Sequence, residues 1–392
     1  MTGLLLRGCR IWGRDGQAGV LVRDGLVADV GGPFDDTDLD IVEVSGRVVI
    51  PGLVESHCHL DKTLYGGPWV PHSAGDALAD RIGNDRRRRA ELGIPDVDRI
   101  TALLERMVAF GTTQVRSHTD IDQEVGLRGV QAVDEATQRL AGRVDVQQVA
   151  FPQHGVLTNP GTEALLADAI ASGVEVVGGI DPAGMDRDPV GQLNAIFGIA
   201  ERHGAMIDIH LHDGGGLGAW ELELIVDRTQ ALSMAGRVAV SHAYALADLP
   251  PSSQDRMAER LAAAGVAIVT AAVYDFPVAP VKKLRAAGVT VACGHDGIRD
   301  LWGPYGSGDM LERAMHLAYR STFRRDDDIE LALHAATFGG ARLVGRHDID
   351  LKPGAVADLV VVDAVSAAEA VVLHPPGRIV VKRGRIVAGE VH

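Results

Sequence analysis

Glu55-Ser56-His57-Cys58-His59-Leu60-Asp61-Lys62 follows directly on the apolar run Val48-Val49-Ile50-Pro51-Gly52-Leu53-Val54. Two histidines two residues apart at the end of a buried strand project to one side of the backbone. That spacing suits two imidazoles sharing a metal ion in the mouth of a barrel. An HxH pair alone is weak, and most such pairs bind nothing. Other apolar runs of this chain, however, end in the same chemistry: Arg116-Ser117-His118-Thr119-Asp120, Phe151-Pro152-Gln153-His154-Gly155, Gly178-Gly179-Ile180-Asp181, His210-Leu211-His212-Asp213, Ser241-His242 and Gly294-His295-Asp296. A single buried histidine is usually a packed core residue. Ionisable groups gathered at one end of so many apolar strands are hard to explain by packing.

A hydrolytic metal site keeps one coordination position open for water. His57, His59, His210 and Asp296 would supply three neutral nitrogens and one carboxylate. Such a set suits one divalent ion, Zn²⁺ or Fe²⁺, and does not discriminate between the two. The ion lowers the pKa of its water toward neutrality. Asp296 and His242 are the candidate bases for the proton that water gives up. His295 is expected to face away from the ion, because its neighbour Asp296 faces in.

These groups need a scaffold. Apolar β runs occur at 47–54, 112–116, 144–151, 174–180, 206–211, 237–241, 266–272 and 289–294, separated by segments of helical spacing such as 219–235 and 257–264. Eight strand–helix units indicate parallel strands and favour a closed (β/α)₈ TIM barrel over an open doubly wound sheet. The open sheet would want a glycine-rich phosphate turn after its first strand, where this chain has Glu55–His59. Residues 4–50 read as short strands, with a hairpin at Asp24-Gly25. The C-terminus repeats that style at 357–363 and 378–387. The expected organisation is one small β domain from residues 1–50 and 345–392, around a catalytic barrel over 51–344.

Composition narrows the partners. A net charge of −15 argues against nonspecific binding to nucleic acid or acidic membranes. Aromatic content of 4% offers no interleaved stacking surface. No apolar stretch approaches the roughly 20 residues of a membrane span, and the N-terminus lacks the basic lead of a signal peptide. Cys9, Cys58 and Cys293 form no CxxC, which suggests a reducing, cytoplasmic setting. Arg86–Arg89 reads as a solvated helix face. Monomer and homo-oligomer both remain open.

The motifs resemble the amidohydrolase superfamily over nearly the whole chain, from Pro51-Gly52-Leu53-Val54-Glu55-Ser56-His57-Cys58-His59 to the closing Leu351-Lys352-Pro353-Gly354-Ala355-Val356-Ala357-Asp358. The resemblance implies a distorted barrel with a β-sandwich appendage and a hydrolytic metal centre. Its binuclear members carry a bridging lysine at the end of strand four. Gly178-Gly179-Ile180-Asp181 has none, so a mononuclear centre is implied. The strand-end motifs are similar to the cytosine deaminase-like group, in which a glutamine amide at the place of Gln153 reads the ring edge. One departure stands out. That group has a glutamate three residues after the strand-five histidine, and here the position is Asp213. His210-Leu211-His212-Asp213-Gly214, with Lys62, Asp181 and Trp302, instead resembles a triazine-acting branch of the group.

On that resemblance Lys62 and His212 act catalytically on ring carbonyls beside His242 and Asp296, and Gln153, Asp181 and Trp302 are further substrate contacts. Asp181 as a brace for Lys62, and Trp302 as core packing, are the plainer alternatives. His118 and His154 are expected as hydrogen-bond partners rather than ligands. The implied function is a metal-dependent aminohydrolase. Metal-activated water attacks a ring C–N carbon of an oxo/amino-substituted s-triazine or pyrimidine and expels ammonia or an alkylamine. The alternatives are cytosine or isocytosine deamination and cyclic amide hydrolysis. A non-enzymatic scaffold is disfavoured, because all four ligand positions are filled.

Overall fold

The computed structural model describes residues 3–35, 38–75 and 78–390. Eight parallel strands follow one another in chain order: β1 (Leu53–Cys58), β2 (Thr112–Asp120), β3 (Asp145–Phe151), β4 (Val176–Ile180), β5 (Met206–Leu211), β6 (Val238–His242), β7 (Ala267–Thr270) and β8 (Val291–Cys293). The ring closes just past β8. Cys58 bridges Asp296 in parallel, and the Asp296 N–H donates to the His57 carbonyl at 2.8 Å. The chain is therefore a (β/α)₈ barrel, and its strand ends converge on one rim. The intervening helices are amphipathic. Val97–Ala109 buries Ile100, Leu103, Leu104, Met107 and Val108 along one face, and the Asp96 carboxylate caps it by accepting the Asp98 and Arg99 N–H groups.

Two strands differ from the runs read in the sequence. The run 47–54 is two strands in two sheets. Val48–Pro51 pairs antiparallel with Leu359–Val362 in the terminal domain, and β1 begins only at Leu53. The chain crosses between the sheets at Gly52, where a Cβ would stand 2.4 Å from Thr113 Oγ1. Continuous apolarity hid this break, because both strands are buried on both faces. The second strand runs four residues past 116, pairing with β3 up to Asp120↔Phe151. Its polar end, Ser117-His118-Thr119-Asp120, is buried, so polarity concealed a strand that supplies site groups.

Both termini build the second sheet. Its order is Arg385–Ala388, Ile379–Lys382, Leu359–Val362, Val48–Pro51, Gly3–Ile11, Gln17–Arg23, Leu26–Gly31, with Leu39–Glu43 also paired to Gly3–Ile11. Asp24 (φ 51°) and Gly25 (φ 79°) form the expected tight hairpin turn, which needs positive φ at both positions. Leu6, Ile11, Val20, Val49, Leu359, Val361 and Val381 meet in a core distinct from that of the barrel. The buried Lys382 ammonium joins the two units, 2.8 Å from Asp358 and 2.8 Å from Asp145 at the start of β3. The terminal sheet is thus fastened at the N-terminal end of a barrel strand, away from the rim that carries the histidines.

Candidate active site

Second-residue spacing along the strands sets up the site, and buried partners orient it. His57 Nδ1 lies 2.9 Å from Ser241 Oγ at the end of β6. Ser241 gives its one hydroxyl hydrogen to Asp208 Oδ1 at 2.7 Å, so its oxygen accepts from His57 Nδ1–H. The His57 Nε2 lone pair is left facing inward. Asp208 is anchored in turn by the fully buried Arg116 guanidinium at 2.8 Å. His59 is fixed the same way: its Nδ1 donates to the His118 carbonyl at 2.9 Å, and its Nε2 stands 3.2 Å from Asp296 Oδ1. Partners of this kind hold a ligating imidazole in one tautomer. Ser241→Ala is accordingly expected to lower divalent-metal affinity by about 10–100-fold, measured by competition with a chelating dye.

His210 stacks on Phe151 with ring centroids 4.0 Å apart. His242 lies 4.9 Å from His57 and 5.2 Å from His210, ring to ring. His57 Nε2 and both ring nitrogens of His210 and of His242 are buried without hydrogen-bond partners. Each such atom costs about 1–3 kcal/mol if nothing satisfies it. Burial pushes His59, His210 and His242 below the usual histidine range, so they stand as neutral donors of lone pairs. Burial alone would raise Asp296, but its closeness to the imidazoles of His57 and His59 outweighs that and holds the carboxyl well below its usual range. Ligand atoms of His57, His210 and His242 lie within 4.8 Å of one another, as do those of His57, His59 and Asp296. The two groups share His57, contain all four expected ligand positions and add His242. Orphaned lone pairs around an ionised carboxylate fit a divalent cation. The turns here are strained as well. His242 and Asp296 hold φ of 68° and 66°, left-handed conformations that cost such residues about 1–3 kcal/mol and tend to cluster at active sites.

A cavity of about 1050 Å³ opens above this cluster, and Lys62, Gln153, Asp181, His212 and Trp302 all line it. Lys62 Nζ sits 2.9 Å from Asp120 Oδ1 and donates to Gln153 Oε1 at 2.7 Å. Burial opposes its charge, but Asp120 and Asp61 outweigh that and raise it above the usual lysine value. Asp181 does not brace Lys62. Its carboxylate takes the His212 N–H and lies 2.8 Å from His212 Nδ1, raising that imidazole's pKa against the effect of burial. Trp302 is half-buried, with an Nε1–H that has no protein partner, and Asp300 pins its loop through the Trp302 and Gly303 N–H groups. His154 lies 3.4 Å from Asp122, and His118 is 3.9 Å from Asp208. His295 turns away from Asp296 and pairs with the buried Glu55.

The amidohydrolase family model matches residues 95–388, well over half of the chain. The chain belongs to the amidohydrolase family. This amidohydrolase, a hydrolase of carbon–nitrogen bonds, is similar over 99% of both chains to the crystal structure of N-isopropylammelide isopropylaminohydrolase from Burkholderia multivorans ATCC 17616, with a TM-score of 0.95 and 47% identity. It is 29% identical to N-isopropylammelide isopropyl amidohydrolase of Pseudomonas sp. (strain ADP), over 99% of this chain and 97% of that one. A 5-methylcytosine deaminase from Klebsiella pneumoniae shares the fold, with a TM-score of 0.86 and 24% identity over 99% of this chain and 97% of that one.

Asp213 of this amidohydrolase stands apart from the cavity wall. Its carboxylate accepts the Gly184 N–H at 2.8 Å, beside Glu221 of the helix Gly215–Ala231. Burial first, and Asp213 second, push the Glu221 carboxyl up to about 8. An acid whose pKa is higher folded than unfolded favours folding below its unfolded value of about 4.3 and loses that contribution as pH rises through 8. Glu221→Gln mimics the protonated form and keeps the acceptor that binds the Ala183 N–H. It should raise the melting temperature more at pH 8 than at pH 5, by about 2 °C or more. An equal shift at both pH values would remove the buried acid from the account.

Three contributors to the site carried no assigned role in the sequence reading: Asp120 beside Lys62, the Arg116–Asp208–Ser241 relay, and Glu55. A signal for two of them existed. Asp208 and His210 share one face of β5, as His118 and Asp120 share one face of β2, by the period of two.

Proposed function

We propose that this amidohydrolase is a metal-dependent aminohydrolase, releasing ammonia or an alkylamine from an oxo/amino-substituted nitrogen heterocycle, and a dioxo-s-triazine in preference to cytosine. The supporting observation is the polarity of the cavity wall. Lysine has no acceptor, so Gln153 turns its oxygen to Lys62 and leaves its NH₂ to donate to a ligand. Lys62, the Gln153 NH₂ and a His212 inclined toward protonation then place donors along one part of the wall. Donors suit ring carbonyl oxygens. Asp213 is committed to Gly184, which leaves the deaminase glutamate's position unfilled on the cavity side.

One divalent ion, held by His57, His59, His210 and Asp296, would polarise the attacking water and lower its pKa toward neutrality. The other roles fall to the chain. Lys62 and Gln153 hold the ring carbonyls and stabilise negative charge that develops on them. Asp296 arrives ionised and His242 neutral, so the pair can take the water's proton and deliver it to the departing nitrogen. Asp181 keeps His212 aimed at the ring.

The test is turnover of amino- and N-alkylamino-dioxotriazines beside cytosine and isocytosine, read by amine or ammonia release after loading with Zn²⁺ or Fe²⁺. The dioxotriazines should exceed cytosine in kcat/KM by at least about tenfold. Preference for cytosine would overturn the substrate assignment. Inactivity on every ring with either metal bound would overturn the function.

A further inference from the structure

The cavity is too large for a single small ring. Pockets of roughly 300–1,000 Å³ hold drug-sized ligands, and this one encloses about 1050 Å³. Its wall is also unusual for this chain. Aromatic residues are scarce, yet four of the five tyrosines, Tyr244, Tyr274, Tyr305 and Tyr319, line this one cavity. The rings form a continuous path outward from the reaction centre. Tyr244 lies 5.5 Å from His242 and stacks on Phe276 at 5.4 Å with a 20° tilt. Tyr274 meets Phe276 edge-on at 6.2 Å and Tyr305 at 6.0 Å. Tyr274, Phe276 and Tyr305 remain 51%, 38% and 69% exposed. Large rings left in water around a concavity mark a binding surface rather than a core.

The wall is built to hold its shape. Arg320 donates to the Phe276 carbonyl at 2.7 Å and to the Val273 carbonyl at 3.3 Å, clamping the segment between them. Tyr274 holds a left-handed φ of 48°. Its hydroxyl packs so closely on Gly303, in the loop after Trp302, that a Cβ there would lie 2.2 Å away. Direction follows from the site. Lys62 and Gln153 face the ring carbonyls from the β1–β3 side, whereas the bond that breaks must lie beside His242 and Asp296. Tyr244 begins two residues after His242. A substituent on the departing nitrogen therefore runs along Tyr244 toward Phe276.

We propose that this vestibule is a subsite for an aromatic or arylalkyl group on the departing amine, so that the substrates are N-benzyl- or N-aryl-substituted rings. The assignment rests on the aminohydrolase reading above. Water adds its oxygen to the ring carbon, the C–N bond breaks, and the arylalkylamine leaves carrying a proton from that water.

Three dioxotriazines bearing amino, isopropylamino and benzylamino groups test it, through kcat/KM by amine release and Kd by calorimetry on the metal-loaded enzyme. The benzylamino compound should exceed the amino compound at least tenfold in kcat/KM, and should exceed the isopropylamino compound as well. Phe276→Ala and Tyr305→Ala should each cut that advantage, Phe276→Ala by tenfold or more, while the amino compound stays within twofold. A benzylamino compound no better than the other two, or variants that lower all three alike, would overturn the subsite. If none of the three turns over, the aminohydrolase reading fails and calorimetry alone judges the vestibule. Tighter benzylamino binding that Phe276→Ala abolishes would uphold it, and equal affinities would overturn it.

Discussion

Asp296→Ala and His57→Ala should each reduce turnover by on the order of 10³-fold or more, with the circular dichroism of the folded protein retained. The expectation comes from what these two residues share. His57 belongs to both donor groups of the site, and Asp296 is the only carboxylate in them. Removing either leaves the remaining imidazoles with fewer partners for a cation, so bound metal measured by elemental analysis should fall in step with rate. Asp296, 3.2 Å from His59 Nε2 and held well below its usual range, is also the carboxylate proposed above to take the proton from water. Asp296 lines the cavity, and the apolar core lies apart from both side chains, so the fold persists while His57→Ala also gives up the buried hydrogen bond to Ser241. A variant that keeps its metal and a near-normal rate would place the chemistry outside this cluster.

Lys62→Met should show two losses at once. Lys62 is 4% exposed, and its ammonium lies between Asp120 and Gln153. Removing it takes away the charged donor for the ring carbonyl, and kcat/KM on a dioxo ring should fall about 10²–10³-fold. It also strands the buried Asp120 carboxylate next to Asp61, whose own carboxyl is already pushed up to about 7 by burial and by Asp120. Breaking one side of a buried ion pair costs about 3–5 kcal/mol, which urea unfolding will register. Adding Asp120→Asn should restore part of the stability and none of the rate. That split separates the electrostatic role of Lys62 in folding from its role at the ring. An unaffected kcat/KM would take Lys62 out of the mechanism, and simple additivity in stability would mean that the pair is not coupled.

Much of this arrangement is legible along the chain. Strand ends announce themselves as apolar runs that stop in His or Asp, and the period of two puts His57 with His59, and His210 with His212, on common sides. The alternation of strand and helix spacing carries the barrel, and the Asp24-Gly25 turn carries its hairpin. The limits are just as particular. Val48–Val54 reads as one strand because both sheets bury it, and only the packing of Gly52 on Thr113 shows where one sheet ends. The apolar run of the second strand stops at Arg116 because Ser117–Asp120 are polar, yet the strand goes on to Asp120 because β3 pairs with it throughout.

The sequence by itself therefore determined which chemical groups stand at the barrel rim and in what order, since each placement depends on a few neighbouring residues. Only the tertiary structure decided who partners whom. Asp181 serves His212 rather than Lys62, Asp120 serves Lys62, Asp213 faces a loop instead of the cavity, and Tyr244 continues the histidine cluster into an aromatic vestibule. These pairings join residues that lie on different strands and loops. Their distances follow from barrel closure and inter-strand register, which no local spacing encodes.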